Sequence, residues 1–200
     1  MTARRLASIA AFAALPLAGC ISLTPKPPSS LMTLSALTPL PPGPARTTDE
    51  KRSIAVSTPT VGQALATQRV MVSDGPTALA YLKDGQWAAP PAQLFRALLA
   101  ETITVKTGRV VPDPRTRAAQ PDLRLTGQLA EFELDGPGYA AVVTFDAAIS
   151  RAGSPALQAR RFSARVPVAV EDPAHVGVAI NQAANQVAGE VADWVGQAAP

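Results

Sequence analysis

A chain of 200 residues with 18 Lys and Arg against 15 Asp and Glu has too small a basic surplus, and no basic run long enough, to track a phosphate backbone. Nucleic-acid binding therefore lacks its electrostatic footprint. A single cysteine and a single histidine exclude an intramolecular disulfide framework and leave any zinc site to carboxylates, for which no ligand-like spacing occurs.

The chain opens with a basic start, Arg4 and Arg5, followed by an apolar run from Leu6 to Leu17 broken only by Ser8 and Pro16. A positive n-region, a short apolar h-region and small residues ahead of a break form a secretory signal. The run is shorter than the about 20 apolar residues of a spanning helix. It ends in Leu17-Ala18-Gly19-Cys20, which resembles a bacterial lipobox. In a lipobox the cysteine sulfur is diacylated and the cysteine becomes the mature N-terminus. The expected organisation is thus a signal peptide over 1–19, a lipidated tether over 20–30 and one domain over 31–200. Loss of Arg4 and Arg5 leaves 16 basic against 15 acidic residues, so the mature protein is close to neutral. About 180 residues remain, enough for one domain with a real core.

Residues 21–30 are rich in Pro and Ser and read as an extended spacer. Leu31 to Leu34 is a short strand candidate, and 38–52, with Pro39, Pro41, Pro42 and Pro44, reads as a loop. Ser53 to Thr58 alternates around Ile54 and Val56 and stops at Pro59. Gln68 to Ser73 and Thr77 to Leu82 predict two strands joined by the Asp74-Gly75-Pro76 turn. Lys83 to Gln86 reads as a second polar turn leading to Trp87. Pro90 and Pro91 suit a helix start, and Leu94, Phe95, Leu98, Leu99 and Val105 carry helical spacing to about Lys106. Gly108 is the expected stop. Arg109 to Val111 reads as a short strand and 112–121 as a loop.

Asp122 to Asp135 places Leu123, Leu125 and Leu129 on one face, then Ala130, Phe132 and Leu134. That change of parity predicts a bulge near Gln128–Ala130. After the Gly136-Pro137-Gly138 turn, Tyr139, Ala141, Val143, Phe145, Ala147 and Ile149 share a face. Leu157 to Glu171 places Phe162, Ala164, Val166, Val168 and Val170 inward. These three strands predict an antiparallel meander. Asp172 and Pro173 then start a last helix with Val176, Ile180, Val187, Val191 and Trp194 as its apolar stripe. Asn181, Gln182, Asn185, Gln186 and Glu190 line its other side. Its small residues, Ala179, Ala183, Ala184, Ala188 and Gly189, allow close approach to a sheet or to a neighbouring chain. The expected fold class is α+β, a mixed and largely antiparallel sheet with two helices packed on it.

Catalytic constellations are missing from the sequence. His175 sits in the first turn of the last helix, and no Gly-x-Ser-x-Gly elbow accompanies it. Neither a P-loop nor a Gly-x-Gly-x-x-Gly follows a strand. Glu131, Glu133 and Asp135 alternate as a solvated strand face would, and Arg160, Arg161 and Arg165 read as a solvated edge. The residues assign no catalytic, metal or cofactor site, and the reading is that the protein is not an enzyme.

The order of parts resembles the ABC-type transport auxiliary lipoproteins, which include the paraquat-inducible protein C type and those accompanying MCE-domain transporters. The resemblance runs from the lipobox through Gln68-Arg69-Val70-Met71-Val72, Leu79-Ala80-Tyr81-Leu82 and Gln86-Trp87-Ala88 to Leu94-Phe95-Arg96-Ala97-Leu98-Leu99, Leu129-Ala130-Glu131-Phe132 and the last helix. The chain departs from the family at Leu31-Met32-Thr33-Leu34, where a Tyr often precedes the leucine. It departs again at Val61-Gly62-Gln63-Ala64-Leu65, where a Pro-x-Tyr-Leu stretch is common. The resemblance implies a lipoprotein of a Gram-negative envelope, anchored through Cys20, that docks onto the MCE-domain protein of an ABC lipid transporter. Ile21 in place of Asp after the cysteine favours the outer membrane, facing the periplasm. Two other readings stay open: a lipoprotein that itself binds a lipid or hydrophobic solute, and a structural envelope lipoprotein, homo-oligomeric through its Ala/Gly-rich last helix.

Overall fold

The structure, a computed structural model, describes residues 30–44, 48–49, 52–113 and 121–198. Five strands form a path in the order β4(Leu79–Gln86), β3(Arg69–Ser73), β5(Leu123–Asp135), β6(Ala140–Arg151), β7(Leu157–Pro167). Two short strands, β1(Ile54–Val56) and β2(Thr60–Val61), also pair with β5 and complete a seven-stranded sheet. β1, β2 and β3 lie end to end along one edge of β5, all parallel to it, at Leu123–Leu125, Gln128–Leu129 and Glu133–Asp135. They act as one long strand interrupted by Pro59 and by the 3-10 turn Gln63–Leu65. The remaining pairings are antiparallel, so the sheet is mixed and the fold is α+β.

The parity change in β5 is a bulge. Leu129 pairs with Phe145 and Glu131 with Thr144, so Ala130 is the extra residue. The bulge brings Leu129 and Phe132, three apart, onto the same buried face. That face meets α1(Pro91–Thr107) and α2(Pro173–Gln197). Between them lie Trp87 and Phe132 (ring centroids 5.3 Å apart), Phe95 and Phe145 (5.3 Å), and Phe162 and Trp194 (5.5 Å). Such pairs contribute roughly 0.5–1.5 kcal/mol each beyond their area burial. The space between helices and sheet is thus filled with side chains. Gly127, opposite Ala147, has the Phe145 ring where a Cβ would stand, with the ring's Cε2 at 2.6 Å.

α1 starts without a side-chain cap behind Pro90, and it ends at Gly108, whose N–H donates to Thr104 O at 3.0 Å and whose φ of 70° turns the chain out of the helix. α2 begins at Asp172, whose carboxylate accepts from the His175 N–H at 2.9 Å. Ala183, Ala184, Ala188 and Ala192 are fully buried, and the two helices pack closely together. Lys106 Nζ ties them by donating to Asp193 at 2.7 Å and to Gly189 O at 3.3 Å. The small residues of α2 therefore serve contacts within the chain.

Several expectations are corrected. Lys83–Gln86 does not separate two elements; it lies inside β4 as a wide irregularity, with Asp84 at φ 57°. Tyr139 and Val170 face solvent rather than the core. Tyr139 occupies the turn before β6 at φ 44°, and β7 ends at Pro167, which has no amide proton for a ladder. Of Arg109–Val111, only Val110 bridges, to Ser53. Of Leu31–Leu34, only Met32 bridges, to Trp87. No helix among the described residues is long and apolar enough to cross a membrane.

Candidate functional site

The first described segment, from residue 30, is strapped across the outer side of the helices. Met32 fixes its start, donating to Gln86 O and accepting from Ala88 N–H, both at 2.8 Å. From there the strap alternates: Met32, Leu34 and Ala36 pack against the core while Leu31, Thr33, Ser35 and Leu37 face out. Met32 lies over Gly177, where any Cβ would stand 2.9 Å from its terminal methyl. One turn further along α2, Ser35 N–H donates to Asn181 Oδ1 at 2.9 Å. Another turn on, Leu37 N–H donates to Asn185 Oδ1 at 2.9 Å, and Asn185 Nδ2 donates back to Ser35 O at 2.9 Å. The strap then crosses to α1, where Leu40 N–H donates to Glu101 Oε1 at 2.9 Å.

The geometry has a simple origin. Two residues of extended chain advance about 6.6 Å, and four residues of α-helix about 6 Å. Asparagines at 181 and 185 can therefore meet strap amides two residues apart. Asn185 is only 6% exposed, and a carboxamide offers both an acceptor and a donor to one stretch of backbone. The carboxamides stand where a paired strand would otherwise satisfy the strap. Between strap and helices is a groove of about 270 Å3 lined by Leu37, Thr102, Val105, Lys106 and Gly189. It falls just under the roughly 300–1,000 Å3 of small-molecule sites.

The opposite face of the sheet carries the charged residues singled out in the sequence, and it pairs them internally. Arg161 donates twice to Asp146, at 2.6 and 2.7 Å, and Arg165 pairs with Asp135. These contacts hold the Asp146 and Asp135 carboxyls below the usual range, through hydrogen bonds from Arg161 and Arg165 respectively. Arg160 differs: two residues from Phe162 on β7, it lies on the helix-facing side and stacks on the Phe162 ring at 4.8 Å. Glu131 accepts from Thr144, which also bonds Ser163. Glu133, expected on a solvated face, is buried. Burial pushes its carboxyl above the usual 4.5, the Ser73 hydroxyl works against that rise, and the charges of Glu131 and Asp135 add to it. The arrangement is a set of cross-strand ties on a sheet surface.

His175 is bound up with its own helix start, its Nδ1 standing 2.7 Å from Asp172 Oδ2. No group of three His, Cys, Asp or Glu among the described residues is placed to hold a metal ion. Cys20, the one site residue expected from the sequence, lies outside the described residues, as do the rest of the lipobox and the tether up to residue 29. The strap contacts were missed in the sequence because they join residues about 150 apart. The one available signal was a pair of amides, Asn181 and Asn185, one turn apart on a polar helix face.

Comparison with known proteins bears on the whole domain. The family model described as "ABC-type transport auxiliary lipoprotein component" matches residues 33–192. A crystal structure from Xanthomonas campestris, assigned to the family DUF330, superposes with a TM-score of 0.69 at 21% identity, covering 84% of this chain and 94% of that one. A second crystal structure, of an uncharacterized protein, gives 0.63 at 16% identity, with coverage of 83% and 99%. At those identities the two neighbours speak to the fold. No curated protein matches the chain.

Proposed function

The chain belongs to the ABC-type transport auxiliary lipoprotein family, and from that premise we propose that it docks an MCE-type lipid transporter to the outer membrane. In this reading Cys20 is the acylated mature N-terminus, and residues 20–30 span from the bilayer to the strap. The folded domain meets the periplasmic MCE-domain protein of an ABC transporter that moves lipid between the membranes. The observation that carries the proposal is the family match across nearly all of the domain. Ile21 after the cysteine supports outer-membrane sorting, and the internal pairing of the charged side chains supports action by contact rather than by chemistry.

The reading in which the domain itself carries a lipid between helices and sheet is disfavoured by the aromatic packing there, since an acyl chain would have to displace Phe95, Phe132 or Phe145. The deciding experiment is purification of the tagged, full-length protein from envelopes in mild detergent. An MCE-domain protein should co-purify, with its permease and ATPase in lesser amount. A clean preparation without an MCE protein would contradict the proposal.

A further inference from the structure

The outer surface of the strap is apolar. Leu31 and Leu37 are 53% and 76% exposed, and Leu40 is 39% exposed. Between Ser30 and Pro44 there is no charged side chain at all. Val178, next to the Gly177 seat of Met32 on α2, adds a fourth exposed apolar side chain at 61%. Three of these four residues lie within ten positions of one another, on a segment that hydrogen bonds clamp to the rigid helical layer. Apolar groups fixed in this way cannot turn inward as those of a loose loop could.

We propose that this strap is a bilayer-contacting ridge: the outer leucines rest in the interfacial region of the membrane that holds Cys20, with the helical layer turned towards the lipid and the meander turned away. The argument for a bilayer, rather than another occupant, is the length of chain outside the structure and where it ends. Nine residues separate Cys20 from Ser30, ten chain steps with a contour of at most about 35 Å, and the first described apolar residue follows at once. Whatever else the domain meets, the surface that the tether reaches first is the one bearing the exposed leucines. Interfacial binding requires exposed apolar side chains beside few charges to desolvate, and 30–44 has that composition. The opposite sheet face, with its Arg–Asp ties, does not. The inference rests on the lipoprotein reading of Cys20.

Introduced thiols test it in the full-length, processed protein, reconstituted into vesicles of phosphatidylethanolamine and phosphatidylglycerol. An environment-sensitive thiol fluorophore is attached to Leu37→Cys, or to Leu157→Cys on the far sheet face, and nitroxide-labelled lipid serves as quencher. The unsubstituted protein is the control for Cys20: acylated, it takes up no label. With that control clean, the probe at residue 37 should emit at shorter wavelength and be quenched several-fold more strongly than the probe at residue 157. Leu31→Asp combined with Leu40→Asp should abolish that difference while the far-ultraviolet dichroism stays unchanged. Equal, weak quenching at both positions overturns the ridge and leaves the anchor standing. So does a residue-37 probe that is shielded from water but not quenched, which would assign the strap to a protein contact. Labelling of Cys20 in the unsubstituted protein shows instead that the lipoprotein reading has failed.

Discussion

Asn185 ties the strap to α2. Its carboxamide holds the strap at both Ser35 and Leu37 while sitting almost fully out of water. Asn185→Leu removes both bonds and leaves strap backbone groups to find water. The expected cost is about 1–3 kcal/mol, read by chemical denaturation, with the Leu37 amide losing protection in hydrogen exchange. Glu133 makes a prediction of opposite sign. A carboxyl whose folded pKa is raised binds its proton more tightly when folded, so its contribution is complete below about 4.5 and is lost as pH rises through the folded value. Glu133→Gln should therefore melt higher than the parent at pH 7, with the gap closing as pH falls through the raised folded value and gone below about 4.5. Asp135 and Asp146 run the other way: their lowered values stabilise the fold above 3.8, and that support goes as pH falls further. At Gly127 a methyl group would collide with the Phe145 ring and the Asp146 carbonyl. Overpacking of this kind costs about 1–3 kcal/mol, so Gly127→Ala should lower the melting temperature by several degrees.

Elements with their own punctuation were legible in the sequence. The meander was, because each strand alternates between explicit turns. The β5 bulge was, because parity cannot change within a strand without an extra residue. Both helices were, through Pro91, Gly108, Asp172 and Pro173. Asp172→Ala should loosen the first turn of α2, seen as faster amide exchange at His175. What stayed hidden depends on partners far away in sequence. No local pattern told that β1, β2 and β3 would line up in parallel along β5, or that the Lys83–Gln86 quartet would remain within a strand. Charge alternation made Glu131, Glu133 and Asp135 look like a solvated face, since the sequence does not reveal that Arg161, Arg165 and Thr144 stand opposite. The strap looked like loop because its hydrogen bonds go to side chains, which leave no periodicity of their own.

At the scale of the whole molecule the layers run from strap to helices to sheet, and in sequence the proposed tether from Cys20 precedes the strap. The site is thus half legible: the lipobox-like motif is local and readable, whereas the strap surface proposed to meet the membrane is made by contacts between the two ends of the domain. Everything proposed for the function begins from the proposed acylation of Cys20. The most direct measurement is intact mass of the protein recovered from envelope membranes, with Cys20→Ala beside it. The account predicts a mature chain starting at Cys20 and heavier by its acyl groups, and a Cys20→Ala form that keeps its fold but retains residues 1–19 or leaves its membrane. A parent chain without added lipid, or a Cys20→Ala form processed and sorted like the parent, would contradict it.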